Sequence, residues 1–316
     1  MSCSCDGLVY NPSIMRPRFA WKIGARSLAL GDRTLVMGVV NVTPDSFSDG
    51  GRYLDASAAV AHGLQMLEEG ADILDVGGES TRPGAQIAPQ GPNVRTFVSE
   101  EEELQRVIPV IRELKQRRPD AVISADTYKA AVARAAVEAG AEIVNDVSGF
   151  CWDPAMAATV EQLGCGAVLM HVRGRPEEWR SLPPVDDMVA LVSRELGERA
   201  QAAMDAGVAR ERIVLDPGFG FGKNYEENYP LLRRFEEFHR LGFPLLAGPS
   251  RKSFIGRAIA RGGAMPAPEQ RLAGSLAAAA IAIMKGSHIV RVHDVKETVE
   301  AAAVADAILT GSERLV

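Results

Sequence analysis

Short apolar runs that stop at a polar or charged residue recur along the whole chain. Leu35-Val-Met-Gly-Val-Val40 ends at Asn41, and Ile73-Leu-Asp-Val76 runs into the glycine-rich stretch that starts at Gly77. Val122-Ile-Ser124 precedes Asp126, Ile143-Val144 precedes Asn145, and Ala167-Val-Leu-Met170 precedes His171. Ile213-Val-Leu215 ends at Asp216, Leu245-Leu-Ala247 leads to Ser250-Arg-Lys-Ser253, and Ile289-Val290 leads to Arg291-Val-His-Asp294. Runs this short and this uniformly apolar read as strands buried on both faces. Between them, apolar positions fall at helical spacing over 56–69, 99–118, 130–139, 155–163, 186–206, 226–241, 273–285 and 295–309. Gly70, Gly140 and Gly207 close three of these segments, and the acidic start at 100–103 suits a helix amino terminus.

Strict alternation of strand and helix implies parallel strands with helical crossovers, and eight such units close a (β/α)8 TIM barrel. A short hairpin over 20–30 precedes the first barrel strand. Residues 1–19 show no periodicity and read as a flexible amino-terminal tail, which leaves 20–316 as a single α/β barrel domain. The barrel reading has a chemical consequence. Its active site lies at the carboxyl ends of the strands, so the residues that terminate the apolar runs meet at one mouth.

Composition narrows the field. An apolar content of 47% over 316 residues supplies one sizeable core, and a net charge of −6 argues against a general nucleic-acid surface. No uncharged apolar stretch reaches membrane-spanning length, and no basic start followed by an apolar run marks a secretory signal. Cys3, Cys5, Cys151 and Cys165 lack metal-site spacing and read as ordinary thiols of a cytoplasmic protein.

The strand ends are chemically uneven. Asp126, Asn145, Asp216 and Lys252 mix acceptors and donors suited to the edge of a flat heterocycle rich in N–H groups. Met170 and the Arg291 guanidinium suit its faces. Arg82, Arg291 and His293, with the Thr43 and Thr81 hydroxyls, form a cationic group of the kind that holds phosphate or pyrophosphate. Asn41 offers one neutral oxygen, which suits a Mg2+ that keeps its waters and leans on substrate phosphates. Each residue also has a plain structural reading: a lone strand-end Asp, His171 or His293 is often only hydrogen-bonded architecture. Gly218-Phe-Gly-Phe-Gly-Lys223 mimics a phosphate loop, but Pro217 and Asn224 break the spacing and no Ser or Thr follows the lysine. Convergence of these strand ends, and no single residue among them, points to a site.

Asn41-Val-Thr-Pro-Asp-Ser-Phe-Ser-Asp-Gly-Gly51, Asp75-Val-Gly-Gly-Glu-Ser-Thr-Arg-Pro-Gly84, Asp216-Pro-Gly-Phe-Gly-Phe-Gly-Lys223, Ser250-Arg-Lys-Ser253 and Arg291-Val-His-Asp294 closely resemble the motifs of the dihydropteroate synthase family. The resemblance spans about 35–310. It implies a barrel that joins p-aminobenzoate to 7,8-dihydropterin-6-ylmethyl pyrophosphate. By position it implies that Asp126, Asn145, Asp216 and Lys252 hold the pterin. Asn41, Arg82, Arg291 and His293 would then hold pyrophosphate and Mg2+. Phe47, Thr81, Pro83, Phe221 and Ser253 would shape the p-aminobenzoate pocket. It further implies a homodimer and a sulfonamide target. The chain departs from the usual pattern in a longer loop over 85–98, in Ala125 and in Pro249.

The chemistry is self-consistent. Pyrophosphate needs cations to leave, and an aromatic amine is nucleophilic while neutral, so no strong base, serine triad or zinc cluster is required. Three other readings remain open at this point. A methyltetrahydrofolate:corrinoid methyltransferase has no pyrophosphate for Arg82, Arg291 and His293 to bind. A Schiff-base aldolase on Lys252 has Arg251 to depress its amine. A non-catalytic pterin-binding barrel releases no pyrophosphate. The polar, proline-bearing loops 43–51 and 84–98 are expected to order only around ligand, with bond cleavage preceding amine attack.

Overall fold

The computed structural model describes residues 16–42, 52–79, 98–179 and 181–311. A two-stranded antiparallel hairpin, β1 (Phe19–Ile23) and β2 (Arg26–Leu30), comes first. Eight parallel strands follow: β3 (Leu35–Asn41), β4 (Ile73–Gly77), β5 (Val122–Asp126), β6 (Ile143–Asp146), β7 (Gly166–Met170), β8 (Ile213–Asp216), β9 (Leu246–Ala247) and β10 (Ile289–Val292). Each pairs with its neighbour in chain order, and β10 returns to β3. The seam between β8 and β9 is short, held by a parallel bridge between Leu215 and Leu245 and by the Leu215 N–H donating to Pro244 O at 3.0 Å. The result is the expected barrel. Almost every strand residue is buried, which is why the runs in the sequence are continuous and not alternating.

The outer layer carries α1 (Arg52–Glu68), α2 (Glu100–Arg117), α3 (Ala130–Glu138), α4 (Met156–Leu163), α5 (Met188–Asp205), α6 (Asn228–Arg233), α7 (Ser253–Ile259), α8 (Leu272–Met284) and α9 (Val295–Thr310). Two elements differ from the sequence reading. The expected helix over 226–241 breaks after α6 into a 3-10 helix, Phe235–Leu241. In 3-10 geometry side chains three apart share a face, and this one buries both Phe235 and Phe238. α7 was not anticipated, because the glycines and prolines at 262–268 cut its pattern short.

The hairpin plugs the amino-terminal end of the barrel. Trp21, Ile23 and Leu30 pack against Met37, Ile73, Val168, Val214 and Ile289, all near the starts of their strands. Gly166 makes this fit: a Cβ there would sit 2.6 Å from Ile23 and 3.3 Å from Trp21. The chain is already fastened before the hairpin. Arg16 is buried, donates to Thr34 Oγ1 at 2.9 Å and Ser287 O at 3.0 Å, and pairs with Asp306. Attachment therefore begins a few residues earlier than the expected end of the tail. Residues 1–15, both loops 43–51 and 80–97, and with them Thr43, Phe47, Thr81, Arg82 and Pro83, lie outside the described residues.

Cys151 and Cys165 are free thiols, and among the described residues no helix is long and apolar enough to cross a membrane. The plug yields a prediction. Trp21 is fully buried, and its Nε1 donates to Arg212 O at 2.8 Å. Trp21→Ala should cost about 3–5 kcal/mol in urea unfolding. It should leave ligand affinity at the far end of the barrel unchanged, and an unaltered urea midpoint would refute the plug role.

Candidate active site

The carboxyl ends of the strands bring acids and a guanidinium together in the barrel interior. Asp126 is in register with Gly77 on one side and Asn145 on the other. A Cβ on Gly77 would lie 3.3 Å from Asp126 Oδ2, so glycine leaves that carboxylate its space. From β10, Arg291 reaches across the mouth. Its Nε donates to Asp75 Oδ2 at 2.6 Å and its Nη2 to Asp126 Oδ2 at 2.6 Å. Asn145 Nδ2 donates to the same Asp75 oxygen at 2.9 Å, while Asp75 Oδ1 is buried with no partner among the described residues. Two carboxylates thus match the Arg291 charge, so the guanidinium is not an isolated anion clamp.

Burial lifts the Asp126 carboxyl to about 7; Arg291 opposes the rise and Asp75 adds to it. Burial also raises Asp216, opposed by the Gly218 N–H and by the charges of Lys252, Lys223 and Arg291. The same surroundings raise the Arg291 pKa, because the gain from Asp75 and Asp126 outweighs burial of the cation.

Beside this network opens a cleft with a volume of about 110 Å³. Of the expected residues, Asn41, Asp126, Phe221, Lys252, Ser253, Arg291 and His293 line it. Asn145, Met170 and Asp216 are buried in the strand ends. Met170 belongs to an apolar cluster with Val147, Val172 and Phe221, flanked by Tyr128, Trp152 and Trp179. Lys252 Nζ stands 3.8 Å above the Phe221 ring.

A strained turn aims Lys252 and Ser253. Arg251 has φ +57°, a left-handed conformation that costs a non-glycine residue on the order of 1–3 kcal/mol. It is held there by a two-point pair with Asp294 and by its own N–H donating to Ser275 Oγ at 2.9 Å. Ser250 Oγ and His293 Nδ1 lie 3.1 Å apart, which orients the imidazole. His171 follows the end of β7, but its side chain turns away from the cleft: it is fully buried, with Nε2 3.0 Å from Glu195 of α5.

Three residues at the site went unnoticed in the sequence. Asp75 had a visible signal, a lone charge inside an apolar strand. Glu79 lines the cleft and accepts from Tyr128 Oη at 3.0 Å and Lys129 Nζ at 2.8 Å. Lys129 also pairs with the buried Glu103. Arg271 lines the cleft from a segment without periodicity, and donates to Arg251 O at 2.8 Å and to Pro266 O. Neither Glu79 nor Arg271 is marked by spacing. Among the described residues no three His, Cys, Asp or Glu side chains converge as a metal site.

The molecule is a (β/α)8 barrel with acids and paired cations at one mouth, and the family described as pterin binding enzyme matches residues 37–293. The dihydropteroate synthase of Escherichia coli (strain K12) is 49% identical over 278 residues, covering 88% of this chain and 93% of that protein. Among solved structures, Xanthomonas albilineans dihydropteroate synthase with 4-aminobenzoic acid superposes with a TM-score of 0.80 at 47% identity, covering 93% of this chain and 98% of the other. The Yersinia pestis dihydropteroate synthase in a sulfonamide drug complex gives 0.81 at 41% identity, covering 92% and 99%. The chain belongs to the dihydropteroate synthase family.

Asp126 supplies a test of the site. A ligand whose ring N–H groups need its carboxylate should lose affinity as pH falls below about 7, by about tenfold per pH unit. Asp126→Asn should weaken pterin binding by about 1.5–3 kcal/mol and flatten this pH dependence. Calorimetry showing wild-type affinity and an unchanged pH profile in the variant would remove Asp126 from the site.

Proposed function

We propose that the enzyme joins p-aminobenzoate to 7,8-dihydropterin-6-ylmethyl pyrophosphate, giving 7,8-dihydropteroate and pyrophosphate. The observation that carries this reading is the meeting of half-buried Asp126 and buried Asn145 and Asp216 with the cleft lined by Lys252, Ser253 and His293. Ionised Asp126 and Asp216 accept from the N–H edge of the pterin. Asn145, whose amide nitrogen is taken by Asp75, offers its oxygen. Met170 and Phe221 give the ring apolar contact, and Lys252, fixed over Phe221, donates at its edge.

The carbon–oxygen bond to pyrophosphate then breaks, and its electron pair leaves with the pyrophosphate. Positive charge on the methylene is shared with the electron-rich pterin. The neutral amine of p-aminobenzoate closes the new carbon–nitrogen bond and releases a proton. His293 faces the leaving group, with Arg82 from outside the described residues. Asn41, a single neutral oxygen in the cleft, would hold a Mg2+ that keeps its waters, and such an ion would supply positive charge for the departing pyrophosphate. Phe221 and Ser253 border the amine; Phe47, Thr81 and Pro83, expected with them, lie outside the described residues. The Schiff-base alternative finds no support, since Arg251, expected to depress Lys252, has its charge matched by Asp294.

Pyrophosphate release on adding both substrates tests the reaction; pterin binding without release would leave a non-catalytic barrel. In the same assay Arg291→Lys should lower kcat/KM by roughly ten- to a hundredfold, because an ammonium cannot fork onto two carboxylates and stack on a ring. A Lys variant with wild-type turnover would sink that role.

The assembly we propose is a homodimer in the cytoplasm, with sulfonamides as competitors for the amine pocket. Supporting the dimer, Ala273, Ala277, Ile281 and Met284 form an exposed apolar stripe on α8. On adjacent α9, Val304 and Ile308 are 63% and 64% exposed. Light scattering of Ile281→Asp/Ile308→Asp should show a monomer where the wild type is dimeric. A monomeric wild type would remove the proposal.

A further inference from the structure

Lys223 ends the segment that mimics a phosphate loop, yet it is buried and has no donor left for a phosphate. Its Nζ donates to Gly218 O at 2.7 Å, His171 O at 3.2 Å and Phe221 O at 3.2 Å. Three carbonyl acceptors match the three N–H bonds of an ammonium, and a neutral amine would leave one of them unmet.

These carbonyls belong to two different chain segments. Gly218 and Phe221 lie in the loop after β8, and His171 lies just past the end of β7. The loop rests directly on that second segment. At Gly218, φ +68°, a Cβ would be 1.9 Å from His171 O; at Gly222, φ +65°, it would be 2.4 Å from Arg173 O. Arg199 of α5 completes the arrangement, donating to Met170 O at 2.7 Å and Val172 O at 2.8 Å. The carbonyls of 170, 171 and 172 thus each accept from a buried or half-buried cation.

The bound segments carry Met170, Asp216 and Phe221, and Phe221 in turn sits under Lys252. Asp216 Oδ1 accepts from the Gly218 N–H at 2.7 Å, inside the loop that Lys223 closes. The charged groups facing Asp216 are Lys223, Lys252 and Arg291. Burial pushes the Lys223 amine well below its ordinary value, and Arg199, Lys252 and Arg173 add to that; Asp216 opposes it, and the three carbonyl acceptors hold the ammonium form. Lys252 and Arg291 line the cleft, and Arg291 is shared with Asp75 and Asp126. Lys223 serves the protein alone.

We propose that Lys223 is a positioning residue for pterin recognition: its buried ammonium fixes the loop bearing Asp216 and Phe221 and is the internal counter-charge that keeps Asp216 ionised. The proposal rests on the reading that pterin binds at Asp216. Burial already raises the Asp216 carboxyl, and losing the Lys223 charge raises it further, so in the variants the loss of pterin affinity on acidification begins at a higher pH.

The experiment is calorimetric titration of 6-hydroxymethyl-7,8-dihydropterin into wild type, Lys223→Gln and Lys223→Met across neutral to alkaline pH, with near-ultraviolet circular dichroism as the fold control. Folded variants should bind about tenfold more weakly or worse at neutral pH and partly recover in alkali. A wild type that fails to bind the pterin defeats the reading of the site, not of Lys223 alone. Variants that bind like wild type, or that lose the same affinity at every pH, overturn the role given to Lys223. If neither variant folds, reductive methylation of the wild type decides. Lys223 should stay unmodified while the half-exposed Lys22 reacts, and methylation of Lys223 at a surface rate in folded protein overturns the proposal.

Discussion

Three carboxylates, Asp75, Asp126 and Asp216, are buried or nearly so at the mouth of an apolar barrel, and the rest of the site is arranged around that fact. An unpaired buried carboxylate costs several kcal/mol, so each needs a cation or N–H donors. Arg291 serves Asp75 and Asp126 together through two bonds of 2.6 Å, and Asn145 adds a third bond to Asp75. Asp216 takes the Gly218 N–H and the nearby charge of Lys223 and Lys252. The compensation is incomplete at Asp126, whose carboxyl rises to about 7. A ligand with ring N–H groups makes good that shortfall, and this is how an energetic liability becomes recognition.

A second constraint concerns backbone. Chain that leaves a strand end and turns over a barrel mouth loses its ladder partners, and its carbonyls still need donors. Here cationic side chains provide them. Arg199 and Lys223 serve the chain after β7 and β8, and Arg271 serves Arg251 O and Pro266 O after β9. The loops gain fixed shape without regular structure, which a site needs when its ligand contacts come from separate strands. The positive φ of Arg251 belongs to the same pattern, its strain offset by Asp294 and Ser275.

The barrel, the order of its strands and most of the strand-end chemistry were legible in the sequence. A strand buried on both faces has to be apolar throughout, and parallel neighbours in chain order require an intervening helix, so both leave a mark that a linear reading detects. Asp126, Asn145, Asp216, Lys252 and Arg291 stood out because each ends or follows such a run. The broken helix at Arg234 did not stand out, since an i,i+3 apolar pair such as Phe235 and Phe238 fits both α and 3-10 spacing, and only the backbone bonds, such as the Glu237 N–H to Arg234 O, separate them.

Partnership was decided by the tertiary structure alone. Nothing in the order of residues pairs Arg291 with Asp75 across 216 positions, or brings Arg271 and Glu79 to the cleft. Those contacts depend on register and on the side-chain direction that closure of the sheet imposes. Lys223 shows the limit most clearly: the broken spacing around it argued against a phosphate loop, but only the approach of the chain after β7 reveals that its donors are consumed by carbonyl oxygens. Sequence fixes which groups arrive at the mouth because strand ends are encoded locally. It leaves open which of them neutralise one another, because that is set by distances of a few ångströms between segments far apart in the chain.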